Sequence, residues 1–386
     1  MPDTVGPLPN NFDLPGIAPK VKWVLAPNGT GFWLVSDYQM AREVLADPNF
    51  SRSEAAGQKA PKISSYNASP FAIISLEGAE HTRIRQLVAP AFTERKIAKM
   101  EPFVTQSVAD LLDGLARQPR PADFVRHVAA PLPFGLLCHL LGVPPADRGV
   151  FGSWVNVLFR LEGDTSASRE HSVSLARYMT QLVAEKRRDP AGDLISNLIE
   201  TAGRKACEVT NRELVTLCLS LLMAGYDSTV DQITLCVLKV LLDKPLMNML
   251  RDHPERVPDA TEELLRLNPA PYMTFPRMAL KDTSIGTTAI RSGELVVVFI
   301  MGSNRDPSAF KIADEMMFDQ ALPAHLTFGH GVHRCLGAPL ARLQLTVLLE
   351  ALSRRFPNMH TSDDLRSLPW KSGMATRGLS YLHVSW

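Results

Sequence analysis

The 386-residue sequence has few features that would crosslink it, anchor it or give it a strong charge. It holds only five cysteines, Cys138, Cys207, Cys218, Cys236 and Cys335. Their number is odd, their spacing is wide and none forms a CxxC, which argues against a disulfide framework and fits a reducing compartment. No sign of charge dominates. Lys and Arg number 41 against 40 Asp and Glu, a net charge of +1, so no pull toward nucleic acid or an anionic membrane is implied. A long apolar run is missing as well. The most apolar stretch, Leu214–Gly225, falls short of the ~20 residues that span a membrane. The opening segment MPDTVGPLPNNFDLPGIAP carries prolines and glycines where a signal peptide would carry an apolar centre. A soluble, unanchored, cytoplasmic protein is expected, with no nucleic-acid or membrane partner. Repeats, low-complexity tracts and obvious linkers are absent too. Length alone would allow two or three domains at roughly 150 residues each, but without a break in composition one domain over 1–386 is expected.

With 45% hydrophobic and 21% charged residues, the chain reads as globular. Ser36-Asp37-Tyr38-Gln39 reads as a capping box before MAREVLAD, and Thr210-Asn211-Arg212-Glu213 as another. After the second, Leu214, Leu217, Cys218, Leu221 and Leu222 recur on one helical face, and apolar residues resume at Ile233, Val237 and Leu238 before Pro245. The result is a helix of roughly 30 residues, longer than the common 8–20, which should cross the middle of the molecule. Asp259-Ala260-Thr261-Glu262 caps a shorter helix that ends at Asn268-Pro269. Strand patterns are scarcer: Gly31–Ser36, and Glu294–Ile300 entered through Ser292-Gly293. The expected class is mainly α with a minor β portion.

One short stretch carries chemistry. In FGHGVHRC, residues 328–335, two glycines and a histidine crowd in front of Cys335, and Leu336-Gly337-Ala338-Pro339-Leu340 reads as a helix start. Unpaired N–H groups and the helix dipole at such a start stabilise a thiolate. Gly329 and Gly331 permit turns that side-chained residues resist, and Gly337 lets a flat partner approach. Three readings stand side by side. The first is a buried structural cysteine. The second is zinc held by His325, His330, His333 and Cys335, although no second ligand cluster is evident. The third is haem iron with one axial thiolate.

The stretch Phe328-Gly329-His330-Gly331-Val332-His333-Arg334-Cys335-Leu336-Gly337 resembles the haem-binding signature FGxGxHxCxG of the cytochrome P450 family. Three further motifs resemble the family's in its order. His81-Thr82-Arg83-Ile84-Arg85 is similar to HxxxR; Ala224-Gly225-Tyr226-Asp227-Ser228-Thr229 to AGxDTT; and Glu263-Leu264-Leu265-Arg266 to ExxR. The resemblance implies the cytochrome P450 fold, with haem b between the long central helix and the cysteine-loop helix and Cys335 as the metal ligand. It implies haem contacts from Ala224, Gly225, Phe328, Gly329 and Gly337. It also implies that His81, Arg85, Arg277 and His333 serve the two haem propionates, which need cationic or hydrogen-bonding partners when partly buried. Gly225 in a helix interior costs about 1 kcal/mol relative to Ala, a cost that makes sense if the helix opens there for dioxygen. Asp227, Ser228 and Thr229 are the implied catalytic group, an acid followed by alcohols that pass protons into the distal pocket. The plain alternative is that the hydroxyls bond back to carbonyls one turn earlier. Glu263 and Arg266, i and i+3 on a helix, can pair, and in the family this pair supports the cysteine loop.

Two positions depart from the family pattern. Ser228 stands where Thr is usual, and Phe318-Asp319 is followed by Gln320 where an Arg normally completes the charge cluster. Asn304-Arg305-Asp306-Pro307 resembles the family's structural NRDP turn.

The resemblance further implies reductive activation of dioxygen, with electrons from NAD(P)H through an external ferredoxin and ferredoxin reductase. Arg334 and Arg342, with Arg83, Arg95, Lys96 and Lys99, would offer such a partner a basic dock. The family's pocket segments supply Tyr66, Phe71, Trp154, Phe159, Met223, Tyr226, Tyr272, Met273, Phe275, Met374 and Thr376, a set suited to a hydrophobic or aromatic natural product of bacterial secondary metabolism. The stretch RSGELVVVFIMGSN, Ser228 and the terminal Val384-Ser385-Trp386 look like members that oxidise cyclodipeptides, often by coupling aromatic rings. Hydroxylation, epoxidation and oxidative coupling therefore compete. The rival class is a haem-binding sensor or electron-transfer protein without catalysis, which would have a closed distal site.

Overall fold

A computed structural model describes residues 3–4, 20–63, 69–158, 165–204, 209–318, 323–361, 363–371 and 376–386. Strands β1 (Asp3–Thr4), β2 (Val21–Leu25), β3 (Gly31–Val35), β4 (Phe50–Ser51), β5 (Arg277–Ala279) and β6 (Leu295–Val298) form one mixed sheet in the order β1-β2-β3-β6-β5-β4. β6 lies parallel to β3, with Trp33 opposite Val296 and Val35 opposite Val298, and antiparallel to β5. Its side chains alternate between two apolar clusters: Val296 and Val298 face one, Leu295 and Val297 the other. Burial on both faces is why this strand reads as an unbroken apolar run. It is shorter than the expected 294–300, because Ile300–Ser303 turns helical.

Helices dominate. Four of them frame the site: α1 (Gly78–Val88), α2 (Asn211–Leu242), α3 (Val257–Leu267) and α4 (Ala338–Arg355). The capping box that opens α2 is complete. Glu213 N donates to Thr210 Oγ1 (3.2 Å), and Thr210 N donates to Glu213 Oε2 (2.9 Å). The helix then runs 32 residues, about 48 Å. Every position from Thr229 to Leu238 is buried, so the helix passes through the core and has no solvent-facing side there. Among the described residues it is the one helix long and apolar enough to cross a membrane, which the apolar stretch read from the sequence underestimated.

Two expected caps shift. The helix Tyr38–Ala46 is capped by Asp37, not Ser36, with Met40 N donating to Asp37 Oδ1 (2.9 Å). α3 begins at Val257, two residues before the expected cap, with Pro258 in its first turn and no side-chain cap. Asp259 lies inside the helix, where a carboxylate still offsets the positive end of the dipole. α4 packs against α3 and against the helix Glu101–Ala116.

Candidate active site

A cavity of about 1170 Å³ separates the middle of α2 from the loop that feeds α4. Cys335 lies on the loop wall, and Ala224, Gly225, Asp227, Ser228 and Thr229 lie on the α2 wall. His81 and Arg85 from α1, Arg277 from β5 and His333 from the loop complete the lining. Three of the four motifs thus converge on it from separate parts of the chain, and Arg277 joins them.

The loop is locally determined. Gly329 and Gly331 take φ of +69° and +72°, and a Cβ at Gly331 would fall 2.7 Å from the Leu45 carbonyl oxygen. Cys335 N donates to Phe328 O (2.8 Å), Arg334 N to Gly331 O (3.1 Å) and Arg85 Nη2 to Arg334 O (2.5 Å). Cys335 is exposed toward the cavity. Burial pushes its thiol up, while the Gly337 and Ala338 amides, Arg85 and Arg334 pull it down. The amides at the start of α4 are therefore aimed at the sulfur, as the sequence led us to expect. The buried cysteines have less to oppose burial, only the Arg148 charge at Cys138 and the Gln232 amide at Cys236 (3.2 Å), and burial pushes Cys138, Cys218 and Cys236 each up to about 12. Among the described residues no cluster of His, Cys, Asp or Glu could hold a metal by itself, so the zinc reading gains no second set of ligands.

Behind the loop, Arg266 and Glu263 form a buried fork, Nε to Oε1 and Nη2 to Oε2, both 2.8 Å. The remaining guanidinium donors go to backbone oxygens of Asn304 (3.0 Å), Ala313 (2.8 Å) and Glu315 (2.7 Å), and Met317 N donates to Glu263 Oε2 (2.9 Å). Backbone groups at 313–317 thus occupy both members of the pair, whatever Gln320 does; Asp319 and Gln320 lie outside the described residues. Arg342 forks onto Glu262 (2.6 and 2.8 Å) and stacks over Phe328 at 4.7 Å, which ties α4 and the loop to α3. Asn304 in the NRDP turn donates to Arg266 O (3.0 Å) and Thr327 Oγ1 (2.9 Å).

The cavity's lining is rich in unsatisfied donors. His81 Nε2, both ring nitrogens of His333, and Nε and Nη2 of Arg52 are buried without a hydrogen-bond partner. The two imidazoles sit 4.4 Å apart, centroid to centroid. Burial, His81, Arg277 and Arg85 hold His333 down at about 3. Arg52 is 2% exposed, stacks over Phe275 at 4.9 Å and is lowered to about 10 by burial and by Arg277. Buried polar groups are otherwise almost always paired, so this cluster of orphans asks for anionic acceptors. A flat group with two carboxylates and an open metal coordination position satisfies both the orphan donors and the cavity-facing sulfur. The donor set therefore fits haem. Sequence reasoning missed Arg52, because nothing in Phe50-Ser51-Arg52-Ser53 marks an arginine as buried.

On the opposite wall, α2 continues through Gly225 without a break, contrary to the expected local opening. A Cβ at Gly225 would lie 3.1 Å from Leu137 Cδ2, so close packing by the helix Pro131–Leu141 is what the glycine serves. Ser228 Oγ donates to Ala224 O (2.7 Å), the bond to the preceding turn that was the plain alternative. Asp227 is bonded to Lys371 Nζ (2.9 Å) and not to Ser228. Lys371 also reaches Asp231 Oδ1 (2.7 Å), whose Oδ2 accepts from Thr376 Oγ1 (2.7 Å). The acid and alcohol adjacent in sequence thus have different partners.

The expected pocket residues divide. Met223, Tyr272, Met273, Phe275 and Thr376 line the cavity. Tyr226 does not: it is buried on another side of α2 with its ring 6.2 Å from Phe134. Trp154 packs on the core beside Tyr178 at 5.8 Å. Phe71 is 66% exposed, with Arg212 6.0 Å away. Tyr66, Phe159 and Met374 lie outside the described residues. The expected basic dock also thins. Arg83 pairs with Glu213 and Arg342 with Glu262, which leaves Arg334, Arg95, Lys96 and Lys99 exposed.

Comparison with known proteins places the geometry. The family model for cytochrome P450 matches residues 21–131 and 257–382. The mycinamicin IV hydroxylase/epoxidase of Micromonospora griseorubida is 36% identical over 368 residues, covering 95% of this chain and 92% of that protein. The nocardicin C N-oxygenase of Nocardia uniformis subsp. tsuyamanensis is 36% identical over 370 residues, covering 94% and 92%. The solved structure of the mixed-function P450 MycG superposes with a TM-score of 0.93 at 34% identity over 100% of both chains.

Proposed function

This chain belongs to the cytochrome P450 family, and we propose that it oxidises a hydrophobic or aromatic natural product of bacterial secondary metabolism in the cavity between α2 and the cysteine loop. Membership makes it a haem-thiolate oxidoreductase whose electrons come from NAD(P)H through redox partners. The observation that carries the reading is the single cavity that presents a cavity-facing thiol, unpaired donors and an acid with two alcohols. When bound, the haem supplies dioxygen activation, with the thiolate favouring O–O cleavage.

The chain's own residues do the rest. Cys335 would hold the haem iron through its sulfur, with the Gly337 and Ala338 amides stabilising its thiolate. His81, Arg85, Arg277 and His333, with Arg52, hold the two carboxylates. Glu263 and Arg266 lock the loop from behind. Asp227, Ser228 and Thr229 handle protons on the distal wall. Met223, Tyr272, Met273 and Phe275 give the substrate an apolar and aromatic surface, while Phe92, Leu137 and Leu219 exclude water around it. The redox partner is a ferredoxin with its reductase, docking at Arg334, Arg95, Lys96 and Lys99, and the protein works in the cytoplasm.

Hydroxylation or epoxidation is the first reading of the outcome. Oxidative coupling, including that of a cyclodipeptide, is the second, favoured by a Ser228 hydroxyl whose proton is committed to the Ala224 carbonyl (2.7 Å). A screen of natural products for the low-to-high-spin shift of the haem identifies what fits. Turnover of a hit under labelled dioxygen then separates the outcomes: label in the product means insertion, none means coupling. A reduced, carbon monoxide-bound Soret band typical of histidine ligation would overturn the thiolate assignment.

A further inference from the structure

The ion pair that holds Asp227 is unusual in its arithmetic: two carboxylates share one ammonium. Asp227 and Asp231 lie one turn apart on the same face of α2, and Lys371 Nζ reaches both, at 2.9 and 2.7 Å. The Asp231 side chain is 0% exposed, that of Asp227 10% and that of Lys371 19%, so only the lysine end approaches solvent. Asp227 also lines the cavity. The lysine is firmly seated. Its amide donates to Gly378 O (2.9 Å), and Trp370 bridges Leu379 in antiparallel fashion. A Cβ at Gly378 would fall 1.8 Å from Asp231 Oδ1, so the C-terminal segment lies directly against that carboxylate. Thr376 Oγ1 donates to the second oxygen at 2.7 Å.

We propose that Lys371 is a latch on the distal acid Asp227, and that Asp231 is the anchor that lets the latch open, so that the three residues carry protons from solvent to the cavity. The proposal rests on the oxygen-activating function proposed above. A lysine paired with Asp227 alone would be left as an uncompensated buried charge whenever Asp227 took a proton, which is strongly disfavoured. Asp231 removes that obstacle. With one proton in the triad, either acid can carry it while Lys371 pairs with the other, and both arrangements are electrically neutral.

Delivery then balances simply. The proton moves from Asp231 to Asp227, and the Lys371–Asp227 bond opens while Lys371–Asp231 persists. Asp227 turns and gives its proton to the cavity, and its carboxylate returns to Lys371. A proton from solvent beside Lys371 restores Asp231. Burial and the charge of Asp227 push Asp231 up to about 7, so the shared proton is available near neutrality. The charges that face Asp231 are Asp227 from its own helix and Lys371 from the C-terminal segment, with Thr376 a neutral donor. Lys371 and Asp231 are positioning residues; Asp227 is the group that touches the cavity.

The test uses the haem-loaded full chain with NADPH and a plant-type ferredoxin and reductase, without added substrate. It compares wild type with Asp231→Asn, Lys371→Met, Lys371→Arg and the milder Thr376→Val. Two readouts are taken: the solvent deuterium isotope effect on NADPH oxidation, and the infrared band of protonated carboxyl groups at neutral pH. Asp231→Asn leaves Lys371 to Asp227 alone, so a protonated-carboxyl band is lost and the isotope effect changes by about twofold, the direction of a hindered proton transfer. Lys371→Met strips both acids of their counter-charge, so the protonated band grows. Lys371→Arg restores the wild-type pattern, and Thr376→Val, which removes a donor that favours ionised Asp231, strengthens the protonated band and so moves it opposite to Asp231→Asn. Wild-type band and isotope effect in both Asp231→Asn and Thr376→Val would overturn the latch, as would failure of Lys371→Arg to restore them. If wild type itself lacks the thiolate–carbon monoxide band, the haem-thiolate reading fails. If that band is present and the variants change nothing, only the latch fails.

Discussion

Replacing Arg266 by Met is the sharpest test of what holds the cysteine loop. The guanidinium side chain is 1% exposed and makes five hydrogen bonds: two to Glu263 and one each to the carbonyls of Asn304, Ala313 and Glu315. Met fills similar space but leaves the Glu263 carboxylate, 4% exposed, with only the Met317 amide. Breaking a buried pair from one side costs about 3–5 kcal/mol, a large part of the ~5–15 kcal/mol that holds a typical protein folded. The three carbonyls lie at 304 and 313–315, on the approach to the cysteine loop. The loop should therefore fail before the bulk of the helices. The assay is a urea titration that follows the thiolate–carbon monoxide band and far-ultraviolet circular dichroism together. In Arg266→Met the band should vanish at lower urea than the helical signal, and both should move below wild type. A double variant, Glu263→Leu with Arg266→Met, removes the stranded charge but not the stranded carbonyls, so it should recover part of the loss. A cost for Arg266→Met below ~1 kcal/mol, typical of an exposed ion pair, would refute the argument that the pair is structural.

Three further outcomes are expected. Arg52→Met, which removes a buried cation with two unpaired nitrogens, should speed haem transfer to apomyoglobin about tenfold, the equivalent of one charge-assisted hydrogen bond; an unchanged rate would return Arg52 to a packing role. Gly331→Ala forces a side chain into φ +72° and against Leu45 O at 2.7 Å, so its Tm should fall by the equivalent of about 1–3 kcal/mol, and an unaltered Tm would contradict the turn geometry. At Glu262 burial acts upward, but His325 and Arg342 prevail and hold it at about 2, below its ordinary 4.5. A depressed carboxylate stabilises the fold above its unfolded pKa and loses that contribution as pH falls from about 4.5 toward 2. Glu262→Gln should therefore flatten the acid limb of stability in that window, and parallel limbs would count against the pairing.

The parts of the site legible in the sequence are those whose chemistry is local. The Cys335 loop could be read because its turns need glycines at 329 and 331 and its sulfur needs the amides at 337 and 338, all within ten residues. Glu263 and Arg266 could be read because three residues is a helical reach, and the length of α2 because a capping box and an apolar period agree. The pocket lining was not legible for the reason that makes α2 central. Around 221–226 both the cavity side and the core side of α2 are apolar, so nothing in its period says that Met223 meets the cavity while Tyr226 packs on Phe134. Short elements misled in the same way. A cap at Asp37 or at Ser36, or a helix starting at Val257 or at Ala260, differs by tenths of a kcal/mol that tertiary contacts override.

The distal acid shows why neighbours in sequence are poor guides to partners. Asp227 and Ser228 read as a pair, yet successive positions on a helix point about 100° apart, and each found a different acceptor or donor. The partner that matters comes from 144 residues away, at Lys371, and the residue that frees that partner is four positions down the same helix. An i,i+4 pair of acids on an apolar helix has no local reason to exist, since like charges at that spacing repel. Its presence on a face that is otherwise buried requires a cation from elsewhere in the fold. In the proposed latch the surplus carboxylate, buried Asp231, is the one that carries the shared proton. The sequence can therefore reveal the need for Lys371, in the form of two stranded acids at 227 and 231, even though it cannot say which lysine answers it.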